Sequence, residues 1–145
     1  MREITSEIEI NTQSSNVWKI LINLEKYVAW NPFIKEAEGV IEEGERLRVH
    51  IAPPDGRSMT FNPWITRVVE NSELRWHRRF LLPGLFDGEH IFELVPLTEN
   101  SVKFIQRENF SGLLVPLFWK NTAQSTRKGF EAMNKAIKAR AESRK

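Results

Sequence analysis

The sequence of 145 residues contains no cysteine. This excludes disulfides, thiolate zinc sites and cysteine nucleophiles together, and it fits a reducing compartment. Histidine is scarce as well: His50, His77 and His90 are the three, far apart and without the spacing of a zinc site. There is no nucleophile elbow and no phosphate-binding glycine loop. No stretch approaches the ~18 consecutive apolar residues of a membrane span. The first residues, MREITSEIEI, lack the apolar centre of a signal peptide. These absences lead to the expectation of a cytoplasmic protein with no membrane span, metal or cofactor.

What is present is a globular balance, with 41% apolar and 28% charged residues. Size scaling gives a chain of this mass about 7,700 Å² of folded surface, about 70% of the unfolded surface being buried. That is core enough for a single domain over residues 1–145. The net charge of +2 is unevenly spread, since the segment from Arg127 to Lys145 has seven Lys/Arg against two Glu. Basic residues at a helix C-terminus complement its dipole, and this is the preferred reading of the cluster. A surface for an acidic partner is the alternative, with nucleic acid not the expected one. The oligomeric state is left open.

Along the chain, Ile4, Ile8 and Ile10 alternate with Glu3, Glu7 and Glu9, which marks a half-buried strand. Val17, Ile20, Leu21 and Leu24 then share one helical face, with Ser14 or Ser15 as the expected cap. A short second helix should end before Asn31, because Pro32 disfavours helical geometry there. From Ile34 to Phe110 the period is two. Strands are expected around Leu47–Ile51, Met59–Val69, Leu74–Phe80, Phe86–Leu94 and Val102–Phe110, with turns at Pro53–Gly56 and Thr98–Ser101. Pro63 should create an edge or bulge. Short connections make this an antiparallel meander.

Pro116 opens a long amphipathic helix reaching about Glu142. Phe118, Thr122, Gly129, Met133 and Ala136 fall on one face, beside Trp119, Thr126, Phe130 and Ile137. The middle of this face is small or hydroxylated. A glycine within a helix costs ~1 kcal/mol relative to alanine, so Gly129 requires a reason. Room for a ligand is one, and close approach of Trp64 or Trp76 is the other.

The chain resembles the START-like (SRPBCC, Bet v 1-like) superfamily, in its bacterial polyketide cyclase/dehydrase-like branch. The residues that carry the resemblance begin with Tyr27-Val28-Ala29-Trp30-Asn31-Pro32-Phe33 and Leu74-Arg75-Trp76. Gly84 to Phe92, Phe110 to Pro116 and Thr126-Arg127-Lys128-Gly129-Phe130 continue it. The resemblance implies an α+β helix-grip fold, with about seven curved antiparallel strands around the C-terminal helix and two short helices after strand 1. It also implies a cavity between sheet and helix for an apolar small molecule.

An empty, dry cavity of about 300 Å³, the small end of ligand pockets, would cost on the order of 7 kcal/mol. That rivals the whole stability of a domain, so the space must be collapsed, wet or filled. Val49, Ile51, Phe61, Trp64 and Trp76 are the expected apolar wall on the earlier strands. Phe92, Phe104, Phe110, Phe118 and Met133 complete it. The expected polar anchors are Arg78, His90, Gln106, Glu108 and Thr122. Matching the inward faces of the last two strands sets Leu94 opposite Phe104, Phe92 opposite Gln106 and His90 opposite Glu108. A carboxylate opposite His90 should hydrogen-bond it and favour its protonated form. The leading expectation is a non-catalytic carrier or sensor of an apolar molecule (a lipid, polyketide or aromatic metabolite). One alternative is a cyclase or dehydratase using His90 and Glu108 as acid and base. The other is an interaction module using the basic helix or the loop at Gly112–Pro116. That loop and the segment Pro83–Phe86 either pack on the core, the preferred reading, or form opposing lips of a cavity mouth.

Overall fold

A computed structural model describes residues 2–80 and 84–143, with Phe80 by its backbone alone. β1 (Arg2–Ile10) leads into α1 (Ser14–Ile22), a 3-10 turn at Leu24–Lys26 and the one-turn helix α2 (Tyr27–Trp30). The strands β2 (Ile34–Glu38), β3 (Arg48–Ile51), β4 (Met59–Phe61), β5 (Trp64–Val69), β6 (Glu73–Phe80), β7 (Phe86–Thr98) and β8 (Ser101–Ser111) follow. The chain ends in α3 (Val115–Glu142). All pairings are antiparallel, in a five-stranded sheet β1-β8-β7-β6-β5 and a three-stranded sheet β2-β3-β4. This is the helix-grip architecture. Its accessible surface, 7903 Å², is close to that of a solidly packed chain of the same mass.

The expected strand from Met59 to Val69 is two strands. Pro63 offers no amide hydrogen, so the ladder stops at Asn62 and the halves join different sheets. The bulge lies further on, between Ile65 and Arg67. An irregular seam connects the sheets: Ile65 N–H donates to Glu45 O at 2.9 Å, Leu47 N–H to Pro63 O at 2.9 Å, and Arg46 bridges Trp64. A second departure is at the start of α1. Neither Ser14 nor Ser15 caps it, because the helix begins at Ser14 and Gln13 takes the flanking position. The backbone carbonyl of Gln13 accepts from Asn16 N–H and Val17 N–H.

The Trp-Asn-Pro-Phe turn is a positioning device. Asn31 is extended, as a residue before proline should be, and its Oδ1 accepts from Phe33 N–H at 3.0 Å and Ile34 N–H at 2.8 Å. The turn seats Phe33 against α3. There a Cβ on Gly129 would lie 2.3 Å from two atoms of the Phe33 ring. Gly129 therefore makes way for an aromatic ring, and the ring is Phe33 rather than Trp64 or Trp76. The same ring meets Phe130 edge-on at 5.9 Å.

The two halves of α3 are seated differently. Thr126, Gly129, Phe130, Met133, Asn134, Ile137 and Ala141 are buried along the second half. From Pro116 to Ser125 no residue is fully buried, and Leu117 and Phe118 are exposed. The helix is anchored at its C-terminal end and at Val115, and stands proud of the sheet between them.

Replacing Gly129 with alanine should destabilise the fold by about 1–3 kcal/mol despite the better helix former, because the ring at 2.3 Å has to move. Urea unfolding measures it, and Phe33→Leu in the Gly129→Ala background should recover part of the loss.

Candidate functional site

Four adjacent elements bring a polar cluster into the interior. On β8, Gln106 and Glu108 point to the same side as Phe104 and Phe110, following the two-residue period. The register is the one read from the sequence, with His90 opposite Glu108, Phe92 opposite Gln106 and Leu94 opposite Phe104. His90, Gln106 and Glu108 are at most 2% exposed, and so is Asn134 from α3.

The side chains do not pair as the register suggests. His90 Nε2 lies 3.0 Å from Gln106 Oε1, and Glu108 turns away to accept from Arg78 Nε–H at 2.8 Å. Gly88 makes this possible. It sits between Arg78 and Phe110 across the strands, and a Cβ there would lie 2.6 Å from Glu108 Oε2 and 3.1 Å from Arg78 Nε. The missing side chain opens a lane through which Arg78 reaches diagonally across β7. Arg78 also lies 4.4 Å from the centre of the Phe61 ring.

The direction of the Gln106 chain follows from its ends. The Gln106 amide nitrogen faces Phe130 O at 3.5 Å and Asn134 Oδ1 at 2.8 Å, and a carbonyl can only accept. Gln106 Oε1 therefore faces His90 and takes a proton from Nε2–H. Asn134 Nδ2 passes the sequence on to Ser6 Oγ at 3.1 Å. His90 is thus the Nε2–H tautomer. Nδ1 is then the ring's acceptor nitrogen.

The ring lies among aromatics. It stacks on Phe92 at 4.1 Å, tilts against Phe130 at 4.9 Å and meets Trp76 edge-on at 5.4 Å. Burial pushes its pKa down to about 4; the Glu108 charge and the Gln106 hydrogen bond oppose this and the Arg78 charge adds to it. The expectation that Glu108 would favour protonated His90 is therefore overturned. Desolvation wins, and the carboxylate is engaged by Arg78.

The other residues expected to line a site divide into three groups. Trp76 and Phe92 pack on His90, Phe104, Gly129 and Met133 are buried in the same core, and Val49 and Ile51 are buried side chains of β3. Phe110 is fully buried at the rim, 5.9 Å from Phe86 and 5.6 Å from Trp119; Phe118 is exposed and Thr122 half-buried on the raised half of α3. Phe61, Trp64 and Arg78 line a surface depression of about 320 Å³ at the break between β4 and β5. The two expected lips do meet: Leu113 N–H donates to Gly84 O at 3.1 Å and Leu114 N–H to Leu85 O at 2.9 Å. Gly112, at φ +124°, allows the approach, since a Cβ would lie 2.3 Å from Leu85 O. Pro83 lies outside the described residues.

Asn134 and Ser6 escaped the sequence reading. The signal for Asn134 was there: it interrupts the apolar stripe Phe130, Met133, Ile137 at helical spacing. Among the described residues no group of three or more His, Asp or Glu is placed to hold a metal. No helix there is long and apolar enough to cross a membrane.

A sheet gripping a long helix, with a polar cluster in an aromatic interior, defines the class of START-like helix-grip domains. Residues 1–142 match the family described as polyketide cyclase/dehydrase and lipid transport, and the chain belongs to that family. No curated protein matches it. Among solved structures, an aromatase/cyclase, ZhuI, from Streptomyces sp. R1128 superposes with a TM-score of 0.81 at 14% identity, covering 99% of this chain and 94% of that one. A START superfamily protein from Mycobacterium smegmatis gives 0.77 at 20% identity, with 99% of each chain covered. A norcoclaurine synthase of Thalictrum, a point mutant with a transition-state analogue, gives 0.76 at 13% identity, covering 99% of this chain and 95% of that one.

Two predictions follow from the cluster. Above pH 6.5 His90 is neutral in both folded and unfolded chains and contributes no pH dependence. As pH falls from 6.5 towards 4, the unfolded chain takes up a proton that the folded chain refuses, so stability falls, by about 3 kcal/mol at the lower limit. Urea midpoints measured across this range should show the loss, and His90→Gln should flatten it. Replacing Glu108 with glutamine leaves Arg78 without its carboxylate and should cost about 3 kcal/mol. Gly88→Ala breaks the same pair, so in a double-mutant cycle the two losses should add to much less than their sum.

Proposed function

We propose that the protein binds an apolar small molecule beneath the raised first half of α3, as a carrier or sensor, the molecule's one polar group being held at the His90–Arg78–Glu108 cluster. The observation that carries this reading is the polar cluster itself: buried His90, Gln106 and Glu108 with Arg78, set among the rings of Trp76, Phe92 and Phe130. A few polar groups in an otherwise apolar interior are what orients a ligand's hydroxyl or carbonyl. Family membership supports a hydrophobic ligand or a cyclase role, and the structural likenesses support the fold. The mouth would lie between the Gly84–Phe86 and Gly112–Leu114 loops and the exposed side of Phe118. The whole chain would act as one binding unit in the cytoplasm.

Catalysis of the cyclase or dehydratase kind is the second reading. A neutral imidazole near a carboxylate is what such chemistry would use. Against it, His90 and Glu108 share no hydrogen bond, and Arg78 engages the carboxylate. Burial makes this imidazole a reluctant proton acceptor, and it has no acidic partner in contact.

Native mass spectrometry of gently purified protein, followed by solvent extraction, tests the binding reading. The expected result is one small apolar molecule with a hydroxyl or carbonyl per chain, lost on denaturation. In His90→Phe its occupancy should fall by about tenfold, the loss of one buried hydrogen bond. A bare mass in wild type, together with no thermal shift from fatty acids, sterols or aromatic polyketides, overturns it.

A further inference from the structure

The break between β4 and β5 builds a second feature that the interior reading does not use. Where Pro63 ends the ladder, a depression of about 320 Å³ opens, lined by Arg46, Thr60, Phe61, Asn62, Trp64, Arg78 and Arg79. This volume is within the range of small-molecule pockets. Three of the seven lining residues are arginines and none is acidic. Arg78 is neutralised from below by buried Glu108. Arg46 and Arg79 form no ion pair among the described residues, although both are within reach of the same indole: the Arg46 guanidinium lies 5.1 Å and that of Arg79 5.0 Å from the Trp64 ring centre.

That arrangement is specific in what it leaves free. A guanidinium that rests on an aromatic ring uses its face and keeps its N–H edge for an acceptor in its own plane. Arg46 gives one N–H to Asn62 O at 2.8 Å, which fixes the side chain and leaves its remaining donors unspent. Trp64 is itself supported, with the His77 ring 4.7 Å away. Two guanidinium groups without an ion pair among the described residues are thus held on one indole beside a pocket, where their free N–H edges are available to an anion.

We propose that this depression is a binding site for a small aromatic carboxylate, its carboxylate accepting from the Arg46 and Arg79 N–H edges and its ring lying in the depression beside Phe61 and Trp64. The aromatic walls select a planar ring over an inorganic anion, and the paired guanidinium edges select a carboxylate over a neutral group. The site is on the outer side of the seam, so it stands or falls independently of whether the interior beneath α3 takes a ligand.

Calorimetric titration of the full-length protein with 2-naphthoate at low salt tests it, with the neutral 2-naphthalenemethanol as the control. One naphthoate should bind per chain, at least about tenfold more tightly than the alcohol, because each charge-assisted hydrogen bond is worth that much. Arg46→Gln and Arg79→Gln, both at exposed positions, should each weaken naphthoate by about the same factor and leave the alcohol unaffected. Equal affinity for the acid and the alcohol, no naphthoate binding, or naphthoate affinity unchanged in both arginine variants overturns the proposal. Occupancy of the interior by a co-purified apolar molecule, read by mass spectrometry in the same variants, should not change.

Discussion

The fold depends on a single polar side chain, Gln106. It is fully buried at the centre of β8, with Ser6 opposite on one neighbouring strand and Phe92 on the other. From there it reaches His90 on β7 and Asn134 on α3, and Asn134 reaches Ser6 on β1. One chain of hydrogen bonds thus joins three adjacent strands to the helix they grip. Apolar packing already sets the register of α3 at the Phe33 notch. The polar chain adds to it, because any slip leaves several buried groups unsatisfied at once. Both constraints act on the second half of α3.

That asymmetry gives one helix two kinds of seat. Beyond Thr126 it is core, with Phe33 filling the notch at Gly129. Before it, the helix carries half-buried and exposed side chains over the aromatic rim of Phe86, Phe110 and Trp119. The loop after β3 leans on the junction, where Lys128 donates to Asp55 at 2.9 Å and holds that carboxyl below the usual carboxylate range. Opening the first half would leave the polar chain and the Phe33 notch untouched. The less buried turns and the structural anchor therefore occupy different parts of one element.

Much of this was legible in the sequence, for reasons that differ from element to element. The register of β7 and β8 came from matching inward faces, and period two makes that alternation hard to misplace. The strand–helix order was legible because proline and glycine punctuate it at Pro32, Pro53–Gly56 and Pro116. The pairing inside the site was not legible. Register sets which Cα atoms face each other, but the His90–Gln106 and Arg78–Glu108 contacts depend on rotamers and on the lane opened by Gly88. A sequence reader sees Gly88 as a weak point in a strand, since what it admits comes from β6 and β8 together. The His90 pKa was misread for a related reason: opposite charge was counted, while desolvation, which needs the packed environment, was larger.

Pro63 shows the same limit from the other direction. The sequence marks it as an interruption, yet its consequence is global: the sheet divides there, and Arg46, Arg79 and Trp64 are gathered at the gap. These residues are remote in sequence and have no motif spacing. Only the seam, with β5 hydrogen-bonded back to the segment before β3, brings them together. Gly88 and Pro63 thus act alike. Each removes something regular from a strand, a side chain in one case and an amide hydrogen in the other. Both vacated places are next to Arg78, which pairs with Glu108 on the inner side and lines the depression on the outer side. The interior cluster and the surface cluster are therefore joined through one guanidinium.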